Sequence, residues 1–353
     1  ACPAASGGAG CPEPKHAACD SEAARVRVLV TGATGMIGSN VARALAQEPC
    51  TEIFILTRWR SNLHNLQGLI GRMTLVQGDL TDAFRIRDLV RQVEPDEIYH
   101  FGGQAINNVG FDSPHVTLTV NVLGTLNILE AVRDAGLTNR TRILLAGSST
   151  EYGKTGDDWE GPIPEAAPLV PVSPYGVSKA SAEMLATQYF LAYGVRTVTA
   201  RIFIHVAPGG TEHLAVQEFS RQIAMIERGL QEPVLLHGNL DALRDMTDVR
   251  DSAPVFLQLL RKGAPGEAYN VGSAQTYSTQ NILDLAIGHA RVKVEARRDP
   301  SRYRPFDEKV LVADISRLQR LTGWEPNPDM NRTVASVLDY WRREVDLRYP
   351  PGP

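Results

Sequence analysis

Two side chains suited to proton transfer, Tyr175 and Lys179, lie four residues apart. This spacing puts them on one face of a helix, and Pro174 just ahead of them predicts that the helix begins there. A nearby ammonium group favours the ionised form of a phenol, so Tyr175 is predicted to exchange a proton with a hydroxyl or carbonyl group near neutral pH. The same spacing is common on ordinary helices, so this hypothesis depends on the surrounding motifs.

Three glycines, Gly32, Gly35 and Gly38, follow an apolar run typical of a strand and precede an amphipathic helix. Glycine lets the backbone turn tightly and approach a pyrophosphate, whose charge is stabilised by the N–H groups of a helix N-terminus. The alternative is a tight turn without a ligand, but the flanking strand and helix favour a dinucleotide site. The predicted contacts of this site are Gly32, Thr34, Gly35, Met36 and Ile37.

Cationic side chains follow the second predicted strand, where an NAD enzyme usually has an acidic residue. Arg58, Arg60 and Ser61 are placed to hold a ribose 2′-phosphate through charge-assisted hydrogen bonds. NADP(H) is therefore the preferred cofactor, NAD(H) is the second choice, and a solvated basic loop is the interpretation without a ligand. Tyr175 and Lys179 are expected to contact the same cofactor, Lys179 at its ribose.

Short apolar runs alternate with longer helical patterns from Val26 onward, which predicts an α/β fold with a doubly wound parallel sheet. The strand-like runs are 26–30, 53–56, 74–76, 97–100, 143–146 and 197–200. The helical patterns include 37–46, 86–93, 116–135 and 175–193. We expect a disordered extension at 1–24, a Rossmann-like NADP-binding domain at 25–200 and a smaller, mainly substrate-binding lobe at 201–353 with segments that return to the sheet.

The chain has 353 residues, of which 43% are hydrophobic and 22% charged, and its net charge is −4. This balance excludes the basic field of a dedicated nucleic-acid binder, and the apolar runs are too short to predict a membrane span. We therefore expect a cytoplasmic protein that binds neither nucleic acid nor membrane. Cys2, Cys11 and Cys19 have spacings that match no zinc pattern, so they are interpreted as inert thiols and no metal site is expected.

A hydroxyl-rich segment, 147–153, closes the fifth predicted strand at the edge where doubly wound sheets bind ligands. Its Ser149, together with the glycine turn, Tyr175 and Lys179, resembles the extended short-chain dehydrogenase/reductase family, which acts on nucleotide-activated sugars. The resemblance begins at residue 26 and ends at about residue 345. It implies that Ser149 hydrogen-bonds the sugar C4 oxygen, that Tyr175 is the acid/base, and that the nicotinamide exchanges hydride with C4.

The same resemblance assigns roles to other positions. It implies cofactor contacts at Asp79 and Leu80, with the Asp79 carboxylate at the adenine amine, and a mainly structural role for Asn121. It also implies a homodimer or homotetramer, assembled through the helices that begin near Val116 and Tyr175.

Within the family, several stretches are similar to the GDP-mannose branch. They are 173–183, 222–233, 238–245, 299–305 and 321–326. The pattern is most like GDP-4-keto-6-deoxymannose reductases and next most like GDP-mannose 4,6-dehydratases. It implies a GDP-linked sugar as substrate, with Arg244 and Arg304 at the diphosphate, a role that suits guanidinium geometry. Two arginines in surface ion pairs are the alternative.

The choice between the two reactions stays open, with reduction at C4 preferred. A 4,6-dehydratase needs a carboxylate base near C5, and Glu151 lies two residues after Ser149, which matches the dehydratase spacing. The stretch before Tyr152 is, however, one residue shorter than in the usual dehydratase. Ile204 stands where the family has an Asn whose amide contacts the substrate. A related epimerase and an inactive NADP-binding scaffold or sensor are the remaining alternatives.

Overall fold

The computed structural model describes residues 25–302, 310–327 and 329–350. The strands are β1 (Val26–Thr31), β2 (Thr51–Thr57), β3 (Thr74–Gln77), β4 (Glu97–His100), β5 (Arg142–Ser148), β6 (Arg196–Ile202), β7 (Ile204–Val206), β8 (Val234–His237), β9 (Leu243–Asp248), β10 (Ala268–Val271), β11 (Thr276–Ser278), β12 (Glu295–Arg298) and β13 (Val310–Leu311). The α-helices are α1 (Met36–Leu45), α2 (Ala83–Val93), α3 (Asn107–Asp112), α4 (Pro114–Leu118), α5 (Gly124–Asp134), α6 (Lys154–Asp158), α7 (Pro174–Tyr193), α8 (Ala215–Glu227), α9 (Val249–Lys262), α10 (Thr279–Gly288), α11 (Ser316–Thr322) and α12 (Met330–Arg348).

Seven parallel strands form the central sheet, in the order β10-β6-β5-β4-β1-β2-β3. The order reverses at β1, which pairs with both β2 and β4, so a crevice opens at the carboxyl ends of β1 and β4. Side chains at those ends hold this edge together, because Thr31 Oγ1 lies 2.7 Å from His100 Nδ1 and accepts from Gly102 N at 3.0 Å. The predicted doubly wound sheet is confirmed.

Both faces of the sheet are covered, which is why its strands are apolar on both sides. Val28 and Val30 of β1 pack in a core with residues of α1, α9 and α11, whereas Leu29 packs on the opposite face with residues of α2 and α5. All three side chains are fully buried. The alternation along one strand therefore fixes two helical layers at once.

Residues after β6 serve two structures. β7, β9, β11 and β13 form a second small sheet, and β8 pairs with β12. Together with α8, α10 and α12 they enclose a separate core that includes Phe219, Ile282, Val334 and Trp341. β10, α9 and α11 instead return to the central sheet. The C-terminal part of the chain therefore builds the second lobe and also completes the first.

One long helical stretch, Pro114–Asp134, is apolar and long enough to cross a bilayer. It comprises α4, a five-residue π-helical segment at Thr119–Leu123, and α5. Of its apolar window 44% is buried inside the fold, where the stretch packs against α2 and α7. Its remaining apolar side chains, such as Val116 and Leu123, are exposed.

Candidate active site

The glycine turn lies at the sheet's crevice, between β1 and α1. Gly32 has φ +73°, and a Cβ atom at this position would lie 2.5 Å from Gly102 N, which is closer than real Cβ contacts allow. Only glycine therefore fits where the two strand ends converge. Gly35 is the N-cap of α1 and has no side chain to occupy the helix N-terminus. The first N–H groups of α1 are consequently available to an anion.

A side chain that the sequence did not single out ties this turn to the second lobe. Asn65 Nδ2 donates to the carbonyl oxygens of Thr34 and Gly209, both at 3.0 Å. A second link joins the same regions, because Ala207 N donates to Met36 Sδ at 3.2 Å. The turn is thus held by contacts to a loop that directly follows β7.

The residues predicted to hold a 2′-phosphate lie at the ends of β2 and β3. Arg58 and Arg60 are exposed, and Arg58 N donates to Ser61 Oγ at 3.0 Å, so the three residues share one short loop. Asp79 lies close enough for both guanidinium groups to help lower the pKa of its carboxyl, after the larger effect of a hydrogen bond from the Thr81 N–H. The structure therefore brings together the cations and the carboxylate that the sequence assigned to the cofactor.

Leu80 follows Asp79 directly in the chain and packs at the carboxyl end of the sheet. It is buried, and its carbonyl oxygen accepts from Asn127 Nδ2 at 2.7 Å. A Cβ atom on Gly102 would lie 2.7 Å from Leu80 Cδ1, so this leucine packs directly against the loop that follows β4.

Tyr175 and Lys179 lie in the first two turns of α7, as their spacing predicts. Ser173 caps the helix by accepting from Gly176 N at 3.1 Å, and Pro174 is its first residue. Lys179 Nζ donates to Ala146 O of β5 at 2.7 Å and lies 5.9 Å from the centre of the Tyr175 ring. The helix start thus places both groups at the carboxyl end of the sheet.

The electrostatics of this pair differ from the sequence-based expectation. Burial raises the pKa of Tyr175 to about 12, although a hydrogen bond with Ser148 acts in the opposite direction. Burial also lowers the pKa of Lys179 to about 8, against the effect of the nearby Glu151. Desolvation outweighs any stabilisation of a phenolate by Lys179, so Tyr175 is a protonated phenol at neutral pH.

Ser148, rather than Ser149, is the hydroxyl next to Tyr175. Ser148 is the last residue of β5, and its side chain forms the hydrogen bond that acts on the Tyr175 phenol. Ser149 starts a 3-10 turn at Ser149–Glu151 and is 4% exposed. A Cβ on Gly176 would lie 2.5 Å from Thr150 O, so only glycine lets α7 lie this close to the turn.

Glu151 is the buried last residue of the turn that follows β5. It is 0% exposed, its Oε1 accepts from Ser148 N at 2.6 Å, and its Oε2 lies 4.0 Å from Arg201 Nε. Burial and the neighbouring Glu183 raise the pKa of Glu151 well above its ordinary value. One oxygen of the carboxyl therefore closes the turn as part of a capping box.

A buried polar network supports this part of the site and was not recognised from the sequence. Arg201 makes two hydrogen bonds to Glu183, at 3.0 and 2.6 Å, and a third to Tyr152 Oη at 2.9 Å. Tyr152 Oη in turn donates to Asn270 Oδ1 at 2.7 Å. These contacts link β6, α7, the turn after β5 and β10. They fix the turn that carries Ser148 from below.

Asn121 has the structural role that the family resemblance implied. Its Nδ2 donates to Ser178 Oγ at 2.9 Å and to Gln104 O at 3.0 Å, and its Oδ1 accepts from Gln104 N at 2.7 Å. It lies in the π-helical segment and thereby joins the loop after β4 to α7.

A cavity of about 660 Å³ opens between the two lobes. Arg244, Ile204 and Arg302 are among its lining residues, as are Phe111 and Asp112 of α3. The same short helix packs on Tyr175, since a Cβ on Gly110 would lie 3.4 Å from Tyr175 Cβ. The cavity and Tyr175 therefore border the same short helix, and the cavity is large enough for an elongated ligand.

The two predicted diphosphate arginines have different outcomes. Arg244 is 7% exposed in the cavity wall, and one of its guanidinium nitrogens donates to Leu243 O at 2.9 Å. Arg304 lies outside the described residues, as do Cys2, Cys11 and Cys19. Ile204 presents hydrocarbon to the cavity, and the adjacent His205 is buried in the core, where burial lowers its pKa to about 4.

Comparisons with known proteins agree with this architecture. The GDP-mannose 4,6 dehydratase family profile matches residues 29–337. A GDP-6-deoxy-D-mannose reductase of Pseudomonas aeruginosa is 32% identical over 90% of this chain and 98% of its own length. A GDP-mannose 4,6-dehydratase of Vibrio cholerae is 29% identical over 88% of this chain and 92% of its own length.

Solved structures show the same relationship. RMD from Pseudomonas aeruginosa complexed with NADPH superimposes with a TM-score of 0.75 and 29% identity, over 90% of this chain and all of that chain. A Thermus thermophilus UDP-glucose 4-epimerase complexed with NAD gives a TM-score of 0.78 at 27% identity, over 90% of this chain and 99% of that chain. The chain belongs to the GDP-mannose 4,6-dehydratase family, within the extended short-chain dehydrogenases/reductases, which confirms the resemblance carried by its motifs.

Proposed function

We propose that this enzyme reduces a GDP-linked 4-keto-6-deoxyhexose at C4 with NADPH. The observation that carries the proposal is the pairing of Ser148 with the protonated phenol of Tyr175, with Thr150 rather than a carboxylate two residues beyond Ser148. The reductase relative from Pseudomonas aeruginosa and its NADPH-bound structure support the same reaction and cofactor.

The described residues fit NADPH. The N-terminus of α1 offers N–H groups to a diphosphate, and exposed Arg58 and Arg60 with Ser61 offer cations and a hydroxyl to a 2′-phosphate. Lys179, anchored 2.7 Å from Ala146 O, stands where a nicotinamide ribose is expected. Bound NADPH supplies a hydride.

The side chains at the end of β5 supply the remaining chemistry. Reduction of a ketone adds a hydride to the carbonyl carbon and a proton to its oxygen. Tyr175, whose pKa is raised to about 12, holds that proton and can give it to the C4 oxygen. Ser148 donates a hydrogen bond to the same oxygen as negative charge develops there. The product is the C4 alcohol, and the Tyr175 phenol regains its proton from solvent.

The geometry is less suited to 4,6-dehydration. That reaction needs a carboxylate that can take a proton from C5. Counted from Ser148, the dehydratase spacing puts Thr150 at the base position, and a threonine hydroxyl is not a base. Glu151 is fully buried, and its Oε1 is already occupied as the acceptor for Ser148 N at 2.6 Å.

The cavity suits a sugar nucleotide. Arg244 and Arg302 place guanidinium groups in its lining, as binding of a diphosphate requires. Ile204, Val206 and Met246 give it an apolar wall. Such a wall accepts a 6-deoxy sugar, whose C6 is a methyl group, without leaving a hydroxyl unpaired.

The test is a nucleotide-sugar assay. Purified enzyme should oxidise NADPH when GDP-4-keto-6-deoxymannose is added and should leave GDP-mannose unchanged. Glu151→Gln, which imitates a protonated carboxyl, should keep the reductase active within about fivefold. Conversion of GDP-mannose to a keto sugar without added reductant, lost in the same variant, would show that the enzyme is a dehydratase. NADPH binding without turnover of any nucleotide sugar would support the scaffold alternative.

We also propose a homodimer built on one apolar face. Val177, Met184 and Leu191 are exposed at seven-residue intervals along α7, and Val116 and Leu123 repeat the interval on the neighbouring helical stretch. Such spacing aligns them in a stripe suited to helix packing between two copies. Met184→Glu should convert a dimer into a monomer in sedimentation measurements, whereas a wild type that sediments as a monomer would contradict the proposal.

A further inference from the structure

The acceptor positions of the Ser148 hydroxyl are occupied, whereas its hydrogen is left for a further partner. Its Oγ accepts two hydrogen bonds from Thr150, one from the backbone N–H at 3.2 Å and one from the side-chain hydroxyl at 2.9 Å. A serine hydroxyl has two lone pairs and one hydrogen. Thr150 therefore fills both acceptor positions, and Ser148 retains only its O–H for a further partner.

The remaining O–H of Ser148 has few possible partners. Ser148 is 7% exposed, so water competes little for it, and its nearest functional neighbour is the Tyr175 phenol. A C4 carbonyl oxygen placed between these two hydroxyls can only accept. With both lone pairs of Ser148 occupied, the carbonyl receives a hydrogen bond from Ser148 and a proton from Tyr175.

We propose that Thr150 is a positioning residue that fixes Ser148 as a hydrogen-bond donor to the carbonyl oxygen of the substrate. The inference rests on the proposed ketone reduction and adds a residue to it. Negative charge grows on that oxygen during hydride addition, so a donor that is already oriented stabilises the transition state more than the ground state.

The backbone around Thr150 makes this orientation rigid. Gly176 of α7 packs against Thr150 O, where even a methyl group would not fit. Glu151 secures the same turn from the other side through Ser148 N. The Thr150 hydroxyl is thus carried by a turn that is held between α7 and a buried carboxyl.

The residue type at position 150 also decides whether the Ser148 hydroxyl donates to the substrate or to its own neighbour. A threonine hydroxyl can donate to Ser148, as it does here at 2.9 Å. An ionised carboxylate at this position could only accept, so the Ser148 O–H would turn toward it and away from the sugar. Thr150 therefore favours chemistry that starts from a carbonyl group.

The experiment is a double-mutant cycle on keto-sugar reduction. Thr150→Val keeps the β-branch and the backbone N–H but removes the hydroxyl. It should lower kcat about tenfold, with the KM for the keto sugar and the Kd for NADPH changed less than twofold. Thr150→Ser should restore most of the lost rate. In a Ser148→Ala background, Thr150→Val should have no further effect, because Thr150 acts only through Ser148.

A matched control is available in α11. Thr322 is also a half-buried threonine that both donates, to Leu318 O at 2.8 Å, and accepts, from Trp324 N at 3.2 Å. Thr322→Val should leave kcat unchanged. An unaltered kcat in Thr150→Val, or an equal loss in the presence and absence of Ser148, would overturn the inference while leaving the reductase assignment intact. A wild type that reduces no 4-keto sugar would overturn both.

Discussion

Lys179 is expected to destabilise the cofactor-free protein. Burial lowers the pKa of its ammonium group from 10.5 to about 8. One pKa unit corresponds to about 1.4 kcal/mol, so the charged form costs the native state about 3 kcal/mol. Lys179→Met removes this cost and also removes the bond to Ala146 O, worth about 1 kcal/mol. We therefore expect the free energy of unfolding of the variant to rise by about 2 kcal/mol at pH 7.

The pH dependence identifies the cause. Below pH 8 the lysine is charged in the native and the unfolded state, so the native state bears the full cost. Between pH 8 and 10.5 the unfolded chain binds a proton that the native state does not, and the wild type gains stability as the pH rises. The advantage of Lys179→Met should therefore fall to zero near about pH 9.5 and reverse to a deficit of about 1 kcal/mol by about pH 10.5, where only the lost bond to Ala146 O remains.

Urea unfolding of both cofactor-free proteins at pH 7, 8.5 and 10 measures this difference. Lys262→Met, which alters an exposed lysine at the end of α9, is the control and should show no such trend. The reasoning is refuted if Lys179→Met is less stable than the wild type at pH 7, or if its advantage is the same at all three pH values.

Three other variants test the site. Replacing Arg58 and Arg60 together by Ala should raise the KM for NADPH at least tenfold and leave the KM for NADH unchanged, since two charge-assisted bonds to a 2′-phosphate are lost; equal effects on both cofactors would place the phosphate elsewhere. Tyr175→Phe should abolish turnover while NADPH affinity, measured by fluorescence titration, stays within twofold; residual activity near wild type would exclude Tyr175 as the acid. Gly176→Ala should lower both the melting temperature and kcat, because its Cβ would lie 2.5 Å from Thr150 O, whereas Gly71→Ala, which meets nothing within 4 Å, should be neutral in both measurements.

The sequence predicted the frame of the site because its signals are local. Apolar runs and the glycine spacing identified β1 and α1, and the pair Tyr175 and Lys179 identified the start of α7. Arg58 and Asp79 were assigned to the cofactor site because each follows a recognisable strand, and this assignment stays a prediction. The carboxyl ends of the strands meet at one edge of a parallel sheet, so the sequence alone predicts that these side chains lie close together.

What the sequence could not supply concerns groups whose role depends on packing. Ser148 and Ser149 are adjacent hydroxyls, and only the exact end of β5 shows which one faces Tyr175. For Tyr175, the sequence shows a neighbouring cation but not the burial that raises the pKa of its phenol to about 12. Asn65 and Arg201 bind partners that are more than 15 residues away along the chain, and no local sequence pattern predicts such contacts.

The single amide of Asn65 has a consequence for how the two ligands are bound. Its Nδ2 serves a carbonyl of the cofactor turn and a carbonyl of the loop after β7, so neither segment can shift without changing the hydrogen bonding of the other. A ligand that fixes one segment therefore lowers the entropic cost of fixing the other. If the proposed NADPH and nucleotide sugar each order one of these segments, thermodynamic linkage requires the effect to be reciprocal, so that the sugar tightens NADPH by the same factor as NADPH tightens the sugar.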